Sequence, residues 1–356
     1  MYPDRLLSYD EVKSELPSTS YLLLGNGFSI GCDPIFRYES LYRAAVEEGL
    51  SQKAQSVFER LGTSNFEGVM RLLEDAEWVA RVYGLLKDDT ESEISRDVEV
   101  VKRTLVSAIA NSHLSHAGLV SAAKKTSALA FLDRYAGVFT TNYDLVLYWV
   151  AMIGDPVSFQ DGFGVDEDEP EAPYVVFSKR LGRGRGLFYL HGALHLYLAD
   201  GELRKHCWSR TRTPLTELIR AGLEVGDYPL FVAEGSAEAK LRQIQRVGYL
   251  WYCLDKLARI RSPLVVYGHS LGPADQHIVD VIAANEDIRT VYLGVHGGRT
   301  SAAAATAWEA SVRLEAGRER ILNRRERRRG NRGLSIKFYE SETAAVWPDS
   351  PNPYAT

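Results

Sequence analysis

Phe139-Thr140-Thr141-Asn142-Tyr143-Asp144 is the stretch on which the reading of this chain turns. Ala136 to Phe139 is an apolar run of strand length. It stops in two hydroxyl residues, an amide and a carboxylate before helical periodicity resumes at Leu145. In an open parallel α/β sheet, ligands sit in the crevice beyond the carboxyl ends of the strands. Asn142 and Asp144 are therefore expected at the mouth of such a sheet.

Three other strand ends share this form. Tyr21-Leu22-Leu23-Leu24 runs into Gly25-Asn26-Gly27-Phe28-Ser29, and Gly186 to Leu190 ends at His191-Gly192. Leu264-Val265-Val266-Tyr267 ends in Gly268-His269-Ser270-Leu271-Gly272. Glycines directly after a strand let backbone N–H groups approach a phosphate with no Cβ in the way. Hydroxyls and amides suit a ribose, and an imidazole moves a proton near neutral pH. Together the four ends hold the parts needed to bind a dinucleotide and act on its sugar.

The intervals set the expected organisation. Ser8-Tyr9-Asp10-Glu11 has the form of a capping box and predicts a short helix ahead of the first strand. From about Glu39 to Lys125 the pattern is helical, so residues 38–130 read as a helical insertion or cap interrupting a domain built from 1–37 and 131–356. Residues 161–173 read as an exposed acidic loop, and about 200–260 as a mostly helical excursion. A long helix near 302–328 and a last strand from Leu334 to Tyr339 follow. The expected fold is a three-layer, Rossmann-like, mainly parallel α/β sheet with a large helical insertion after its first strand.

Composition narrows the function classes. The 356 residues are 45% hydrophobic and 25% charged with a formal net charge of -5, which gives no global pull toward nucleic acid. Three cysteines without a CxxC pair indicate neither a disulfide framework nor a structural zinc site and fit a reducing cytosol. No apolar run reaches membrane-spanning length, so the expected location is cytoplasmic.

The ordered motifs resemble the sirtuin-like (SIR2-like) NAD+-consuming family, in particular its bacterial anti-phage defence branch. Gly25-Asn26-Gly27-Phe28-Ser29 is similar to the family's Gly-Ala-Gly-x-Ser phosphate turn, with Asn in place of Ala. Thr141-Asn142-Tyr143-Asp144 resembles its Gln-Asn-x-Asp motif, His191 its catalytic histidine, and Gly268-His269-Ser270-Leu271 its Gly-Thr-Ser-Leu turn. The resemblance covers roughly residues 18–37 and 131–296.

It implies that Asn142 contacts the nicotinamide ribose and positions the attacking water, that Asp144 holds the nicotinamide carboxamide, and that His191 is the base. It further implies NAD+ contacts by Gly25, Asn26, Gly27, Ser29, Thr141, Gly268, Ser270 and Leu271. The zinc module of sirtuin deacylases is missing, and their Asp-Phe-Arg segment survives only as the stretched Asp33-Pro34-Ile35-Phe36-Arg37. Water then replaces an acyl-lysine acceptor. The implied activity is NAD+ glycohydrolysis, used as a gated, NAD-depleting defence effector. In the family, gates are homo-oligomeric assembly, a small-molecule signal, or a partner such as a helicase-like ATPase.

Plainer readings stand beside this one. Gly25-Asn26-Gly27 is equally a tight turn, and Asn142 equally a helix cap. His191 and His195 have a metal-like spacing only on a helix, no HExxH is present, and no metal is assigned there or at His206-Cys207. Gly268-His269-Ser270-Leu271-Gly272 also matches the nucleophile elbow of α/β-hydrolases, which makes a Ser270 esterase one alternative. A nucleotide-binding sensor without turnover is another. The basic stretch Arg318 to Arg332 reads as a solvated helix face.

Overall fold

The computed structural model describes residues 4–61, 66–86, 92–153, 158–179, 184–225, 227, 229–232, 237–324 and 333–348. Its strands, in chain order, are β1 (Tyr21–Leu24), β2 (Gly137–Thr140), β3 (Phe159–Gln160), β4 (Phe163–Gly164), β5 (Tyr174–Phe177), β6 (Arg185–Tyr189), β7 (Gly192–Ala199), β8 (Glu202–His206), β9 (Pro229–Phe231), β10 (Leu264–Tyr267), β11 (Thr290–Val295) and β12 (Ser335–Glu340).

The helices are α1 (Tyr9–Glu15), α2 (Gly27–Cys32), α3 (Tyr38–Glu47), α4 (Gln52–Leu61), α5 (Phe66–Val82), α6 (Glu93–Ser112), α7 (Ala122–Leu132), α8 (Val146–Ala151), α9 (Trp208–Thr211), α10 (Leu215–Val225), α11 (Ala237–Arg246), α12 (Gly248–Ala258), α13 (Gln276–Ala284) and α14 (Ala302–Arg324). None of the described helices is long and apolar enough to cross a membrane.

One sheet has seven strands in the order β12-β11-β10-β1-β2-β6-β3, and every pairing in it is parallel. The fold is thus α/β, compatible with a Rossmann-like arrangement. The apolar runs identified in the sequence are its centre: Leu22, Leu23, Leu24, Val138, Phe139, Leu264 and Val265 have no exposed surface. A strand covered on both faces reads as a continuous apolar run, which is why these three were visible without alternation.

The chain enters the sheet in the middle, at β1, adds β2 beside it, passes to the edge at β3 and back to β6 between them, then returns to the other side of β1 with β10, β11 and β12. Strand order therefore reverses between β1 and β10. Between β1 and β2 the described chain is helical, α2 to α7. Within the stretch read as helical, α3 and α4 are separate helices, parted where Gly49 takes a φ of 95°.

The ends of the chain lock onto this sheet. Ser8 and Glu11 form the expected capping box at α1, with the Ser8 hydroxyl accepting from Glu11 N and the Glu11 carboxylate from Ser8 N. After β12, Trp347 lies against Phe28, with ring centroids 4.9 Å apart, and donates its indole N–H to the Phe28 carbonyl at 2.8 Å. The C-terminal segment thereby holds α2, the helix that follows the first glycine turn.

A second sheet departs from the expected organisation. It has five strands in the order β4-β5-β8-β7-β9, with antiparallel pairings. Residues 200–260 hold β8 and β9 beside the four helices α9 to α12, so the helical excursion is interrupted by two short strands. Within 161–173, read as a loop, the two residues of β4 pair with β5, and 165–173 carry neither helix nor strand. The Gly/Arg-rich turn between β5 and β6 falls largely outside the described residues.

Candidate functional site

Register brings the four motifs to one level. Leu24 is opposite Tyr267 of β10 on one side and Thr140 of β2 on the other, and Thr140 is opposite Tyr189 of β6. Every one of these strands is parallel, so the glycine turn after β1, the Asn/Asp segment after β2, His191 after β6 and the turn after β10 leave along the same edge. This edge includes the switch point between β1 and β10, where open α/β sheets hold ligands.

The two glycine turns are packed against each other. Gly25 N donates to Tyr267 O at 3.0 Å, and Gly27 N to Gly268 O at 2.8 Å. A Cβ on Gly25 would lie 2.5 Å from His269 Cα, and one on Gly27 2.6 Å from Gly268 Cα. Gly268 itself has a φ of 64° and leaves no room for a Cβ beside Phe28 N. Close approach of two backbones thus demands these glycines, and it already engages the Gly25 and Gly27 N–H groups. Asn26 is tied back by its side-chain amide, which donates to Phe36 O at 3.1 Å.

Across from the turns, Asn142, Ser29 and Asp144 form a buried chain. Asn142 Nδ2 donates to Ser29 Oγ at 2.9 Å, and Ser29 Oγ donates to Asp144 Oδ2 at 2.6 Å. Asp144 Oδ1 accepts from Val146 N at 2.8 Å, and Asn142 N donates to Thr140 Oγ1 at 3.0 Å. Asn142 does not cap α8; its amide reaches α2 instead. Thr141 N donates to Leu24 O at 3.1 Å and stitches β2 to β1.

His113, one residue past α6, supports this chain and was not singled out from the sequence. Its Nε2 accepts from Leu145 N at 2.9 Å while its Nδ1 faces Leu114 O at 3.0 Å. Those two bonds assign the neutral tautomer with the proton on Nδ1. Burial lowers the pKa of His113 and raises that of Asp144, the latter opposed by His113, Ser29 and Val146.

The second cluster surrounds His191. His191 Nε2 lies 3.0 Å from His277 Nε2 and 3.9 Å from Asp275 Oδ1. His269 Nδ1 accepts from Leu271 N at 2.8 Å, so its Nε2 carries the proton and faces Asp275 Oδ2 at 3.7 Å. Lys240 Nζ donates to Asp275 Oδ1 at 3.1 Å. Burial pushes His191 well below the ordinary imidazole range, lowers His269, and takes His277 down to about 4. Burial alone would raise the Asp275 carboxyl, but His269, His191 and Lys240 outweigh it and hold it below the usual carboxylate range. With the imidazoles neutral near pH 7, the Lys240 ammonium is the cation that remains beside it.

Among the described residues, His191, Asp275 and His277 form the cluster that could hold a metal ion, their ligand atoms lying within 4.8 Å of one another. His195, the four-residue neighbour considered from the sequence, is on β7 and packs between the rings of Tyr148 and Tyr189.

The turn after β10 does not form a nucleophile elbow. In that elbow the serine itself sits at the strained position. Here Ser270 is exposed, the left-handed residue is Leu271 with a φ of 47°, and among the described residues no hydrogen bond joins Ser270 to a histidine. The Leu271 side chain is fully buried, its N–H donates to His269 and its carbonyl accepts from Arg313, so the residue is held from within the fold.

The family profile described as a domain of unknown function, DUF4917, matches residues 22–347. The chain belongs to the DUF4917 family. No curated protein matches it. The DUF4917 match begins in β1 and runs past β12 to Trp347, so it takes in all four strand ends, the second sheet and the indole that secures α2.

Proposed function

We propose that this DUF4917 protein is an NAD+ glycohydrolase, cleaving NAD+ to nicotinamide and an ADP-ribose product. One observation carries the reading: register sets the glycine turns, Asn142, Asp144 and His191 side by side along the carboxyl edge of a parallel sheet, across its switch point. The pyrophosphate belongs over the paired glycine turns. Asn142 is the group to orient the ribose and the attacking water, with Asp144 toward the carboxamide. A neutral His191 is competent to accept a proton.

Cleavage of the nicotinamide–ribose bond passes through an oxocarbenium-like state, which fixed dipoles in a water-poor site stabilise. The helices of residues 38–130 are the natural cover for such a site, and His113 is where they reach it. The biological role in this reading is a gated NAD-depleting effector of anti-phage defence. Its gate is homo-oligomeric assembly, a small-molecule signal or a partner such as a helicase-like ATPase.

The deciding experiment is nicotinamide release from NAD+ by wild type, Asn142→Ala and His191→Ala over a range of protein concentrations. Release by wild type alone is expected, rising steeply with concentration if assembly is the gate. A His191→Ala variant as fast as wild type would overturn the mechanism.

A nucleotide-binding sensor without turnover is favoured by one detail, the engagement of Ser29 and both Asp144 oxygens in internal hydrogen bonds. Saturable NAD+ binding with no nicotinamide release, even with the assembled partner, would select it.

A further inference from the structure

We propose that His191, Asp275 and His277 form a binding site for a divalent transition ion, zinc being the representative, and that the ion switches the DUF4917 site off by occupying His191.

The three residues come from different places in the fold. His191 follows β6, Asp275 lies in the turn after β10, and His277 is in the first turn of α13. A tetrahedral ion with bonds of about 2 Å holds its ligand atoms about 3.3 Å apart. The two observed separations from His191 Nε2, 3.0 Å to His277 and 3.9 Å to Asp275, straddle that spacing. Two imidazole nitrogens and one carboxylate oxygen suit zinc and its neighbours rather than magnesium or calcium, which prefer all-oxygen shells. Three protein ligands leave a fourth position for water.

The metal-free arrangement prepares the exchange. With the Nε2 atoms of His191 and His277 at hydrogen-bond distance, one of the two must carry a proton. Binding the ion through both Nε2 atoms moves that proton to Nδ1 of the same ring, so the exchange is one of tautomer with no net proton released. Asp275 must also turn from Lys240, whose ammonium now neutralises it. Competition from the His191–His277 hydrogen bond and from Lys240 keeps the affinity moderate, as a reversible switch requires.

The inhibitory role rests on the NAD+ reading, because a His191 nitrogen bonded to a metal cannot accept a proton. The metal site itself does not.

The test titrates the full chain with Zn2+, and with Co2+ as a spectroscopic probe, beside His277→Gln and Asp275→Asn. One equivalent is expected, with visible Co2+ bands, and binding at least tenfold weaker in each variant at unchanged circular dichroism. Uptake by wild type no greater than by folded His277→Gln would overturn the site. So would the near-ultraviolet charge transfer of thiolate ligation, which would put the ion at one of the three cysteines instead. Should one variant fail to fold, the other and the wild-type spectrum still decide.

Nicotinamide release is then compared between zinc-loaded and chelator-treated wild type. A tenfold or greater loss with zinc is expected, and an undiminished rate would overturn the switch. His277-dependent Co2+ bands in a protein that releases no nicotinamide in either state would uphold the metal site while the glycohydrolase reading fails.

Discussion

Replacing Ser29 with alanine removes a single oxygen atom from the centre of the Asn142–Ser29–Asp144 chain. That oxygen donates to Asp144 at 2.6 Å and accepts from Asn142 at 2.9 Å, and both partners are only 6% exposed. Each buried polar group left without its partner costs about 1–3 kcal/mol. The two together give an expected loss of about 2–6 kcal/mol, read in urea denaturation as a lower midpoint at unchanged slope. The change should also raise the Asp144 carboxyl further, since the Ser29 hydroxyl is one of the groups opposing burial there. A double-mutant cycle with Asn142→Ala isolates the shared bond, with an expected coupling of about 1 kcal/mol. If Ser29→Ala costs less than about 0.5 kcal/mol and the cycle shows no coupling, the chain does not tie α2 to the end of β2 and the account of the site is wrong.

Arg318 is 1% exposed and donates to the carbonyls of Ala283, Ile282, Asn285 and Ile288 around the end of α13. Arg318→Ala strips several buried carbonyls of a charged donor and should cost about 3–5 kcal/mol in chemical denaturation, with Arg318→Lys recovering only part because it lacks the planar fork. Gly268→Ala should destabilise by at least about 2 kcal/mol, since a left-handed non-glycine residue there also meets the Phe28 amide; an unchanged melting temperature would contradict the packed turns.

His206, stacked on Tyr197 at 4.4 Å, is lowered by burial from 6.5 to about 4. Its folded value lies below its unfolded one, so its contribution is complete above about pH 6.5 and is lost as pH falls toward 4, up to about 3 kcal/mol. His206→Phe keeps the stack and should show a shallower fall in stability between pH 7 and 4.5. Equal pH slopes for the two proteins would refute it.

The parallel sheet was legible because strands covered on both faces announce themselves as apolar runs and end in polar or glycine punctuation. Asn142, Asp144 and His191 could be picked out for the same reason: each stands at or just past such an end. The second sheet carried one readable sign that was missed. Asp200-Gly201 joins β7 to β8 with both residues at positive φ, 52° and 80°, the two-residue hairpin turn that an Asp-Gly pair between apolar runs signals. β9, three residues beginning with proline, had no sign to read, since it is a strand only through its pairing with β7.

The partners of the site were hidden for a tertiary reason. His113 is far in sequence from Leu145, Lys240 from Asp275, and Asp275 and His277 from His191, and each is an ordinary residue where it stands. Arg318 shows the converse. It opens the basic stretch read as a solvated helix face, yet it is enclosed against α13; residues 325–332 of that stretch lie outside the described residues.

β1 precedes the other described strands in the chain, yet its pairing is completed only once β10 has been made. Its Leu22 finds Val138 on one side, but on the other it waits for Val265, and Gly25 and Gly27 have no turn to pack on until Gly268 emerges. Contacts of such long sequence separation form slowly and late. A nascent or truncated chain lacking β10 therefore has neither the closed glycine turns nor the His277 side of the His191 cluster. On the glycohydrolase reading proposed above, that order of assembly keeps a polypeptide ending before β10 inactive.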